Sequence, residues 1–462
     1  MTSNDSLNRD FQNKLSQLFL ELGKTMVIVD DDPTGTQTVF DVHVLGIWTE
    51  EAFIEEFKMK TPVFFVLANT RSITQDKAVN RAAEIGQNLR KASAMTSREF
   101  LLVSRSDSTL RGHFPAELDA IRLAAGMDDY PIVITPTFFE GGRITENNIH
   151  YILEDGKKIP VSETGFARDK SFGYKNSDLC KWVEEKSNGT IRSERVKSLS
   201  IEEIAAGESV ILEKLSTLIK GEYLIINSTG YRELETVCMA LHRAIRGGKG
   251  FLFRTAASFV SAFAGIGPKS WVPGRTSNKS GAGGLIVVGS YVPKTTAQLN
   301  ELLQNKEIIP FAIPVDRLVS EENYLSIHLE SLVHDLDNHL SAGQHLVVYT
   351  SRELISGSSP TENLDIGKQV TEFLVDLVAR INVSPDFILA KGGITSNDLA
   401  VKGLGMKRAK VLGQIIPGVP VWELGTETRF PQTPFIVFPG NVGDDKSLSK
   451  VFDLFTGKPG DL

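Results

Sequence analysis

The sequence FLLVSRSDSTLRGH joins an apolar run, Phe100–Val103, to the polar stretch Ser104–His113. That stretch places two arginines, one aspartate and four hydroxyl side chains directly behind a run typical of a buried strand. In an open α/β sheet, ligands bind in the crevice at the carboxyl ends of the strands, so this crowding predicts recognition of anions and hydroxyl groups. The alternative is helix capping, in which Ser106 or Ser108 would cap a helix that begins near Thr109.

A second polar cluster, DDDPTGTQT, spans Asp30–Thr38 and follows the strand-like run Met26–Val29. Three successive carboxylates repel one another, so a fold tolerates them only where water, a cation or a polyhydroxylated ligand satisfies them. Pro33 cannot donate a hydrogen bond and Gly35 tolerates positive φ, so we expect the chain to turn here and to expose these groups. A solvated acidic turn without a ligand is the alternative interpretation.

Apolar runs alternate with helical patterns along the chain, which predicts parallel α/β sheets. The helical patterns include a first helix near residues 11–22, Gln75–Leu89, Pro115–Ala124 and a later amphipathic segment over residues 366–381. The strand candidates are Met26–Val29, Val63–Val66, Phe100–Val103, Ile132–Thr135, Tyr223–Asn227, Phe251–Phe253, Leu285–Val288, His345–Thr350, Phe387–Ala390 and Phe435–Phe438.

The chain of 462 residues is too long for one compact core and suggests two domains. Residues 267–284 are rich in Gly, Pro and Ser and interrupt the alternation, so we place a linker there. We therefore predict two α/β domains, over residues 1–266 and 285–462, each with a mostly parallel sheet flanked by helices. We expect the ligand cleft between them.

The composition is that of a globular protein, since 41% of the residues are hydrophobic and 23% are charged. The formal net charge of -7 argues against a general nucleic-acid or membrane-surface binder, although a local basic site for an acidic substrate is compatible with it. The sequence contains no run of 18 apolar residues of the kind that predicts a membrane span, and the polar start Met1–Arg9 is unlike a secretory signal. We expect a cytoplasmic protein without a nucleic-acid or membrane partner, and the sequence leaves a homodimer open.

A glycine-rich turn, Gly392–Ser396, lies between the strand candidate Phe387–Ala390 and a helix expected from about Asn397. Two glycines let the backbone approach a phosphate closely, and the N-terminus of the following helix offers free N–H donors. The chain has neither a G-x-x-x-x-G-K-[ST] loop nor a G-x-G-x-x-G after a strand, which argues against a P-loop kinase and a dinucleotide site. On chemistry alone, a plain turn with Thr395 or Ser396 as the helix N-cap is an equally good interpretation.

Taken together, these motifs resemble those of the four-carbon acid sugar kinase family, whose members carry DDxTG near the N-terminus and DSTLRG further along. Asp31–Gly35 and Asp107–Gly112 match both. The likeness spans most of the chain, and its other segments are Thr70–Ser72, Pro136–Phe138, Gly142–Arg143, Val288–Ser290, Lys391–Ser396, Pro417–Pro420 and Pro439–Gly440. Several separated motifs in the right order are far more specific than any one of them.

The resemblance implies a sugar-acid site in the first domain, where arginines pair the carboxylate and aspartates accept hydrogen bonds from hydroxyl groups. The implied substrate-binding residues are Asp31, Asp32, Thr70, Arg71, Arg105, Asp107 and Arg111. Phosphoryl transfer needs one acceptor for the hydroxyl proton, and the sequence does not choose between Asp107 and Asp32 for this catalytic role. The residues that the resemblance implies at ATP are Ser290, Gly392, Gly393, Ile394, Thr395 and Gly440.

The resemblance thus implies a kinase that uses ATP and Mg²⁺ to phosphorylate the terminal C4 hydroxyl of a four-carbon sugar acid, such as a 3-oxo-tetronate, threonate or erythronate. The ligands of the metal cannot be read from it. One alternative is a haloacid dehalogenase-like phosphatase with Asp30 as nucleophile, although the acidic loop Gly443–Asp445 that this needs lies beyond the linker. Another is a two-domain protein that binds a sugar acid without chemistry and needs no ATP.

Overall fold

The computed structural model describes residues 3–154, 156–267, 281–290, 292–321, 324–351, 360–440 and 442–457. The chain forms two compact units, Met1–Pro268 (unit 1) and Lys269–Leu462 (unit 2). Most of the predicted linker, residues 268–280, lies outside the described residues. None of the described helices combines the length and the apolar character that a membrane crossing requires.

The described strands and helices follow one another in α/β alternation through most of the chain. The strands are β1 Thr25–Asp30, β2 His43–Leu45, β3 Val63–Leu67, β4 Phe100–Arg105, β5 Ile132–Thr135, β6 Arg143–Glu146, β7 Ile149–Glu154, β8 Lys157–Pro160, β9 Val196–Leu199, β10 Tyr223–Ile226, β11 Leu252–Thr255, β12 Leu285–Val288, β13 Ile308–Ile313, β14 His345–Thr350, β15 Ile388–Lys391, β16 Arg408–Ile416, β17 Val419–Leu424 and β18 Pro434–Phe438. The α-helices are α1 Ser3–Glu21, α2 Glu50–Lys58, α3 Gln75–Thr96, α4 Ala116–Ala124, α5 Leu179–Lys186, α6 Ile201–Ala205, α7 Glu208–Ser216, α8 Tyr231–Arg246, α9 Ala257–Ala264, α10 Pro293–Leu302, α11 Val315–Ser320, α12 Tyr324–Ser341, α13 Pro360–Arg380, α14 Gly393–Asp398 and α15 Ser447–Thr456.

The main sheet of unit 1 has the strand order β2-β3-β1-β4-β11-β5-β10-β9, and every described pair in it is parallel. Its central strands β1, β3 and β4 are buried along their whole length, as is typical of a parallel sheet covered on both faces. A small antiparallel sheet, β6-β7-β8, was not predicted, because its strands are short and half-exposed.

The sheet of unit 2 begins with five parallel strands in the order β13-β14-β12-β15-β18. Strands β17 and β16 then continue it in antiparallel fashion within the described part of the unit. Two mostly parallel sheets, each flanked by helices, are the fold class that the alternating pattern predicts, and this prediction is confirmed.

Aromatic and aliphatic side chains from the helices fill the space against the sheet of unit 1. The ring of Phe53 on α2 stacks on that of Phe64 on β3, with 6.1 Å between the ring centroids. The predicted first helix is α1, and its buried face carries Leu15 and Phe19. The Phe19 ring meets Phe263 of α9 edge-on at 6.0 Å, so α1 closes this side of the core.

Candidate active site

Four strands of unit 1 end in register at one edge of the sheet. Asp30, the last residue of β1, pairs with Leu67 on β3 and with Arg105 on β4, and Arg105 pairs with Thr255 on β11. The parallel register therefore gathers loops that lie far apart in sequence. These strand ends and the loops after them carry the residues that the sequence predicts for the sugar acid, namely Asp31, Asp32, Thr70, Arg71, Arg105, Asp107 and Arg111.

Arg71 is the centre of the charge cluster at this edge. Its Nη2 lies 2.6 Å from Oδ2 of Asp32, its Nε lies 3.1 Å from Oδ1 of Asp31, and its Nη1 lies 3.6 Å from Oδ1 of Asp107. Burial opposes the charge of this guanidinium, but the surrounding carboxylates raise the pKa of Arg71 above its usual value. One cation thus binds the loops after β1 and β4 together and offsets the repulsion among their carboxylates.

Asp107 is held in its ionised form. Nε of Arg111 lies 2.7 Å from its Oδ2, and the hydroxyl of Thr109 donates a hydrogen bond to the same oxygen. Burial opposes ionisation, but Arg71 and Arg111 hold the pKa of Asp107 well below its usual range. The side chain is still 11% exposed, so a carboxylate that is always ionised at neutral pH remains accessible at the sheet edge.

Asp32 and Arg111 complete the exposed part of the cluster. Asp32 is 22% exposed, and its Oδ1 accepts a 2.8 Å hydrogen bond from the backbone N–H of Thr34. Despite burial, Arg71 and the hydrogen bonds from Thr34 lower the pKa of Asp32. Arg111 has a second, longer contact of 3.7 Å to Asp169, a residue that the sequence analysis did not single out. Both catalytic candidates, Asp32 and Asp107, are therefore ionised and paired with arginine.

Asp30 is enclosed. Its carboxylate is 0% exposed, Oδ1 lies 3.0 Å from Nη1 of Arg105, and a Cβ atom placed on Gly35 would lie 1.5 Å from Oδ2. Burial raises the pKa of Asp30 to about 7, and the Arg105 charge offsets only part of that shift. A nucleophile has to reach its substrate, so this geometry argues against the phosphatase alternative. Arg105, only 5% exposed, is engaged with Asp30, and its predicted substrate contact stays a prediction.

Gly35 is required for a different reason from the one that the sequence suggested. It lies in a 3₁₀ helix, Pro33–Thr38, and its φ is not positive. The residue is glycine because the Asp30 carboxylate fills the space that a side chain would occupy. The expectation that this turn exposes its carboxylates was wrong for two of the three, since Asp30 is 0% exposed and Asp31 is 2% exposed, whereas Asp32 is 22% exposed.

The polar stretch after β4 does not cap a helix near Thr109. The next helix, α4, begins at Ala116, and the intervening turn passes through positive φ at Leu110 (68°) and Gly112 (130°). The interpretation that Ser106 or Ser108 caps a helix here was therefore wrong. The hydroxyl of Ser106 instead donates a hydrogen bond to Oδ2 of Asp31, which joins this loop to the acidic turn.

A second layer of polar residues lies behind the charge cluster. Thr70 is 0% exposed, and its hydroxyl donates a 2.7 Å hydrogen bond to Oε1 of Glu117. Burial raises the pKa of Glu117 to about 7, and the nearby Asp31 charge adds to the shift. Nε2 of His113 contacts the carbonyl of Thr70 at 3.1 Å. Contact between Thr70 and a substrate stays a prediction, since its side chain faces Glu117.

Sequence reasoning missed two arginines of this region. Arg254 directly follows the apolar strand candidate Phe251–Phe253, and its buried guanidinium donates a 3.2 Å hydrogen bond to the hydroxyl of Ser104. Arg143 was noted only as part of a motif, and the charge of Asp107 acts on it. A single cation at the end of an apolar run was the signal for Arg254, but nothing in the sequence shows which strand lies beside it.

In unit 2, three neighbouring strands also end in register. Val288 of β12 pairs with Lys391 of β15, and Lys391 pairs with Phe438 of β18. The turns after these strand ends approach one another closely. A Cβ atom on Gly289 would lie 2.5 Å from Oγ1 of Thr395, one on Gly392 would lie 3.1 Å from Cβ of Ser290, and one on Gly440 would lie 3.6 Å from Oγ of Ser290.

Most of the residues predicted at ATP are thus brought together at this edge of the unit 2 sheet. Gly392 has φ of 115°, and Thr295 donates to the carbonyl of Gly440 at 3.3 Å, which fixes the spacing of the turns. Ile394 follows on α14 with 53% of its surface exposed. Contact of these residues with ATP stays a prediction.

Helix α14 begins at Gly393 and not near Asn397, so neither Thr395 nor Ser396 is its N-cap. The N-cap interpretation was wrong because the hydroxyl of Ser396 points back into the turn, donating to the carbonyls of Ala390 (2.9 Å) and Gly392 (2.8 Å). The buried hydroxyl of Ser396 therefore stabilises the glycine turn.

Lys391 is a further residue that the sequence analysis did not assign to the site. It is 0% exposed, its Nζ donates to the carbonyl of Pro439 at 2.6 Å, and the same atom lies 3.8 Å from the centre of the Phe438 ring. Burial lowers the pKa of Lys391 to about 7, and Lys294 adds to the shift. The side chain ties the glycine turn to the loop that carries Gly440.

Within the described residues, no group of three or more His, Cys, Asp or Glu side chains is arranged to hold a metal ion. The acidic loop that the phosphatase alternative needs, Gly443–Asp445, belongs to unit 2. There Asp444 accepts a hydrogen bond of 2.7 Å from Ser447 beside the start of α15.

Comparison with known proteins agrees with the two-unit geometry. A family model of a sugar-binding N-terminal domain matches residues 26–263, and one of a nucleotide-binding C-terminal domain matches residues 285–448. The chain is 22% identical to the D-erythronate kinase of Heliobacterium modesticaldum over 455 residues, which cover 94% of this chain and 97% of that one. The chain belongs to the four-carbon acid sugar kinase family.

Other relatives resemble this family member over only part of the chain or in fold alone. The D-threonate kinase of Bordetella bronchiseptica is 33% identical over 156 residues, 32% of this chain and 36% of that one. A Haemophilus influenzae protein of solved structure has a TM-score of 0.63 at 17% identity, with 93% of this chain and 100% of that chain covered. A Salmonella typhimurium protein that carries a provisional tRNA synthase name has a TM-score of 0.67 at 15% identity, with 92% and 98% covered. These two show a shared fold.

Proposed function

We propose that the protein is an ATP-dependent kinase that transfers the γ-phosphoryl group to the terminal C4 hydroxyl of a four-carbon sugar acid, such as a 3-oxo-tetronate, threonate or erythronate. The observation that carries this is the accessible, ionised carboxylate of Asp107, held between Arg71 and Arg111 at the carboxyl edge of a parallel sheet. The family assignment supports the class of reaction, because sugar acid kinases are phosphotransferases.

Asp107 is the proposed acceptor of the hydroxyl proton. The transition state of phosphoryl transfer is loose, so the acceptor needs to be close and ionised more than it needs to be strongly basic. Its two arginines keep Asp107 ionised, and they also hold its oxygen atoms in a fixed orientation. Asp32 is the second candidate because it is more exposed than Asp107. It ranks second because its carboxylate is already bound by the N–H of Thr34 and by Arg71. In both roles the carboxylate also accepts a hydrogen bond from a sugar hydroxyl.

ATP is proposed to bind in unit 2 at the edge formed by Ser290, Gly392–Thr395 and Gly440. The absence of side chains at Gly289, Gly392 and Gly440 lets the three turns approach one another, and it would let a phosphate group come close to their backbone. This supports nucleotide binding over the alternative of a sugar-acid binder without chemistry.

Mg²⁺ is proposed to bind together with ATP. The described residues offer no preformed cage of carboxylates, and Asp31, Asp32 and Asp107 are already paired with Arg71. An ion that keeps several waters and is held chiefly by substrate phosphates fits this donor set. When bound, it would neutralise charge on the phosphates, and the residues described above bind and orient the acid and accept its proton.

The test is an assay of ADP release with Mg-ATP against D- and L-threonate, D- and L-erythronate and their 3-oxo forms. ADP release that depends on one acid, with a phosphorylated product whose phosphate is located at C4 by NMR, is the expected result. Silence across the panel, together with phosphate release from sugar phosphates without ATP, would move the function to the phosphatase alternative. Acid binding without any effect of ATP would leave the non-catalytic binder.

A further inference from the structure

The arginines that the family resemblance implies for the acid are already neutralised by the protein itself. Arg71 contacts three carboxylates within 4.0 Å, Arg111 contacts Asp107 and Asp169, and Arg105 contacts Asp30. A substrate carboxylate that approached any of these would have to displace an existing partner. Binding an acid tightly therefore calls for a cation that has no carboxylate of its own.

Arg254 is such a cation. It is the next-to-last residue of β11, it is 7% exposed, and no carboxylate of the described residues lies within 4.0 Å of its guanidinium. Nη1 donates a 3.2 Å hydrogen bond to the hydroxyl of Ser104, and the Phe114 ring centre lies 5.9 Å from the guanidinium carbon. Burying a charge without a counter-ion is costly, so a guanidinium in this state is unusual unless an anion completes its surroundings.

Arg254 also lies in the right place. A Cβ atom on Gly112 would be 3.2 Å from Nη2 of Arg254, 3.2 Å from Oγ of Ser106 and 3.3 Å from Oδ2 of Asp31. The guanidinium therefore reaches the same turn of the DSTLRG motif that the charge cluster encloses. Ser106 and Asp31 are the partners that hold this turn against the acidic loop.

The order of the strands explains this placement. Strand β11 lies between β4 and β5, so Arg254 pairs with Ser104 on one side and Ile134 on the other. Burial lowers the pKa of Arg254, although the charges of Asp31, Glu117 and Asp107 favour its charged form. Asp31 and Asp107 are paired with Arg71, and Oε1 of Glu117 accepts a hydrogen bond from Thr70. Among the described residues, no carboxylate makes a direct ion pair with Arg254.

We propose that Arg254 binds the carboxylate of the sugar acid and so makes the enzyme select acids over the corresponding polyols. This rests on the proposed function, since it names the group that recognises the acid end of that substrate. A planar guanidinium matches a carboxylate with two parallel hydrogen bonds, which a lysine cannot reproduce.

The test compares binding of the sugar acid with binding of the polyol that has CH₂OH in place of the carboxylate, erythritol or threitol, by calorimetry on the full chain. Arg254→Met should weaken binding of the acid about 10- to 100-fold, as expected for the loss of hydrogen bonds to a charged group, and change binding of the polyol little. The affinity of Arg254→Lys for the acid should lie between those of the wild type and Arg254→Met. Arg246→Met, at a surface arginine on α8 that pairs with Glu21, is the control and should keep the wild-type preference.

Arg254→Lys carries the test if the methionine variant does not fold, because it keeps the charge and loses only the planar fork. A loss of acid and polyol binding by the same factor in Arg254→Lys, or no loss in either, overturns the inference. If the wild type phosphorylates the acid and both Arg254 variants keep its preference for the acid over the polyol, the role of Arg254 is refuted and the kinase function stands. Acid binding that depends on Arg254 without any turnover leaves the role standing and refutes the kinase. A wild type that binds no acid of the panel refutes both.

Discussion

Replacing Gly35 with alanine tests whether Asp30 is truly enclosed. The added Cβ atom would lie 1.5 Å from Oδ2 and 2.4 Å from Cγ of Asp30, far inside van der Waals contact. The carboxylate cannot swing away at low cost, because it is 0% exposed and Oδ1 is held by Arg105 at 3.0 Å and by the N–H of Asp32 at 3.3 Å. Either the 3₁₀ turn must shift or the buried ion pair must open.

The size of the effect follows from these two routes. Overpacking a core costs about 1–3 kcal/mol, and opening a buried ion pair costs about 3–5 kcal/mol. We expect Gly35→Ala to lower the free energy of unfolding of unit 1 by about 3 kcal/mol, which corresponds to a fall of roughly 6–12 °C in Tm. Differential scanning calorimetry of the full chain measures this, because the two units can give separate transitions.

Gly165→Ala is the matched control, since Gly165 also lies in unit 1, has no positive φ and has no atom within 4 Å of an added Cβ. It should change Tm by no more than about 2 °C. In an Asp30→Ala background, Gly35→Ala should cost less than in the wild type, because the clashing atoms are gone. A Gly35→Ala protein that melts with the wild type would refute the reasoning. Asp30 would then have room to move, and its exclusion as a nucleophile would lose its basis.

Three further substitutions address the sites and the pH dependence. Asp107→Asn should lower turnover at least about 100-fold with nucleotide affinity unchanged by calorimetry, and normal turnover would pass the proton-accepting role to Asp32. Gly392→Ala should weaken binding of Mg-ATP at least about 10-fold, since φ is 115° and the new Cβ would lie 3.1 Å from Ser290, whereas Gly405→Ala, at positive φ in open space, should bind normally. Burial raises the pKa of Glu235 to about 7, so the wild type loses stability as pH rises from the unfolded value of 4.5 through 7, and Glu235→Gln should escape this loss. Urea unfolding measures the free energy of unfolding of both proteins. Relative to the wild type, that of the variant should rise by up to about 3 kcal/mol between pH 5 and pH 8, and the same difference between the two proteins at both pH values would contradict the assignment.

The sequence predicted the fully buried parallel strands because strands buried on both faces are continuous apolar runs, as in Ile132–Thr135 and Leu285–Val288. It missed strands that are only partly buried. Strand β16, Arg408–Ile416, alternates buried and exposed residues around Lys410 and a glycine, and the edge strand β13 is buried only at its two ends. In such segments, pairing with a neighbour stabilises the strand, and that neighbour is not visible locally.

The candidate sites show the same division. Polar residues that follow apolar runs, such as Asp31 and Asp107, could be predicted because parallel strands present their carboxyl ends at one edge. Arg254 could not, because its hydrogen-bond partner Ser104 is 150 positions away and becomes a neighbour only when β11 inserts between β4 and β5. The roles within a motif also depend on tertiary contacts, since Ser396 bonds backward to Ala390 instead of capping α14.

The acidic triplet shows why the substrate's carboxylate needs its own cation. The three neighbouring aspartates divide between two arginines. Asp30 pairs with Arg105, and burial raises its pKa to about 7, while Asp31 and Asp32 both contact Arg71. The triplet thereby uses up the positive charge of the arginines that accompany it. In the proposed site these groups form a rigid framework for sugar hydroxyls, and an arginine outside the framework neutralises the acid end of the substrate, which is the role proposed for Arg254.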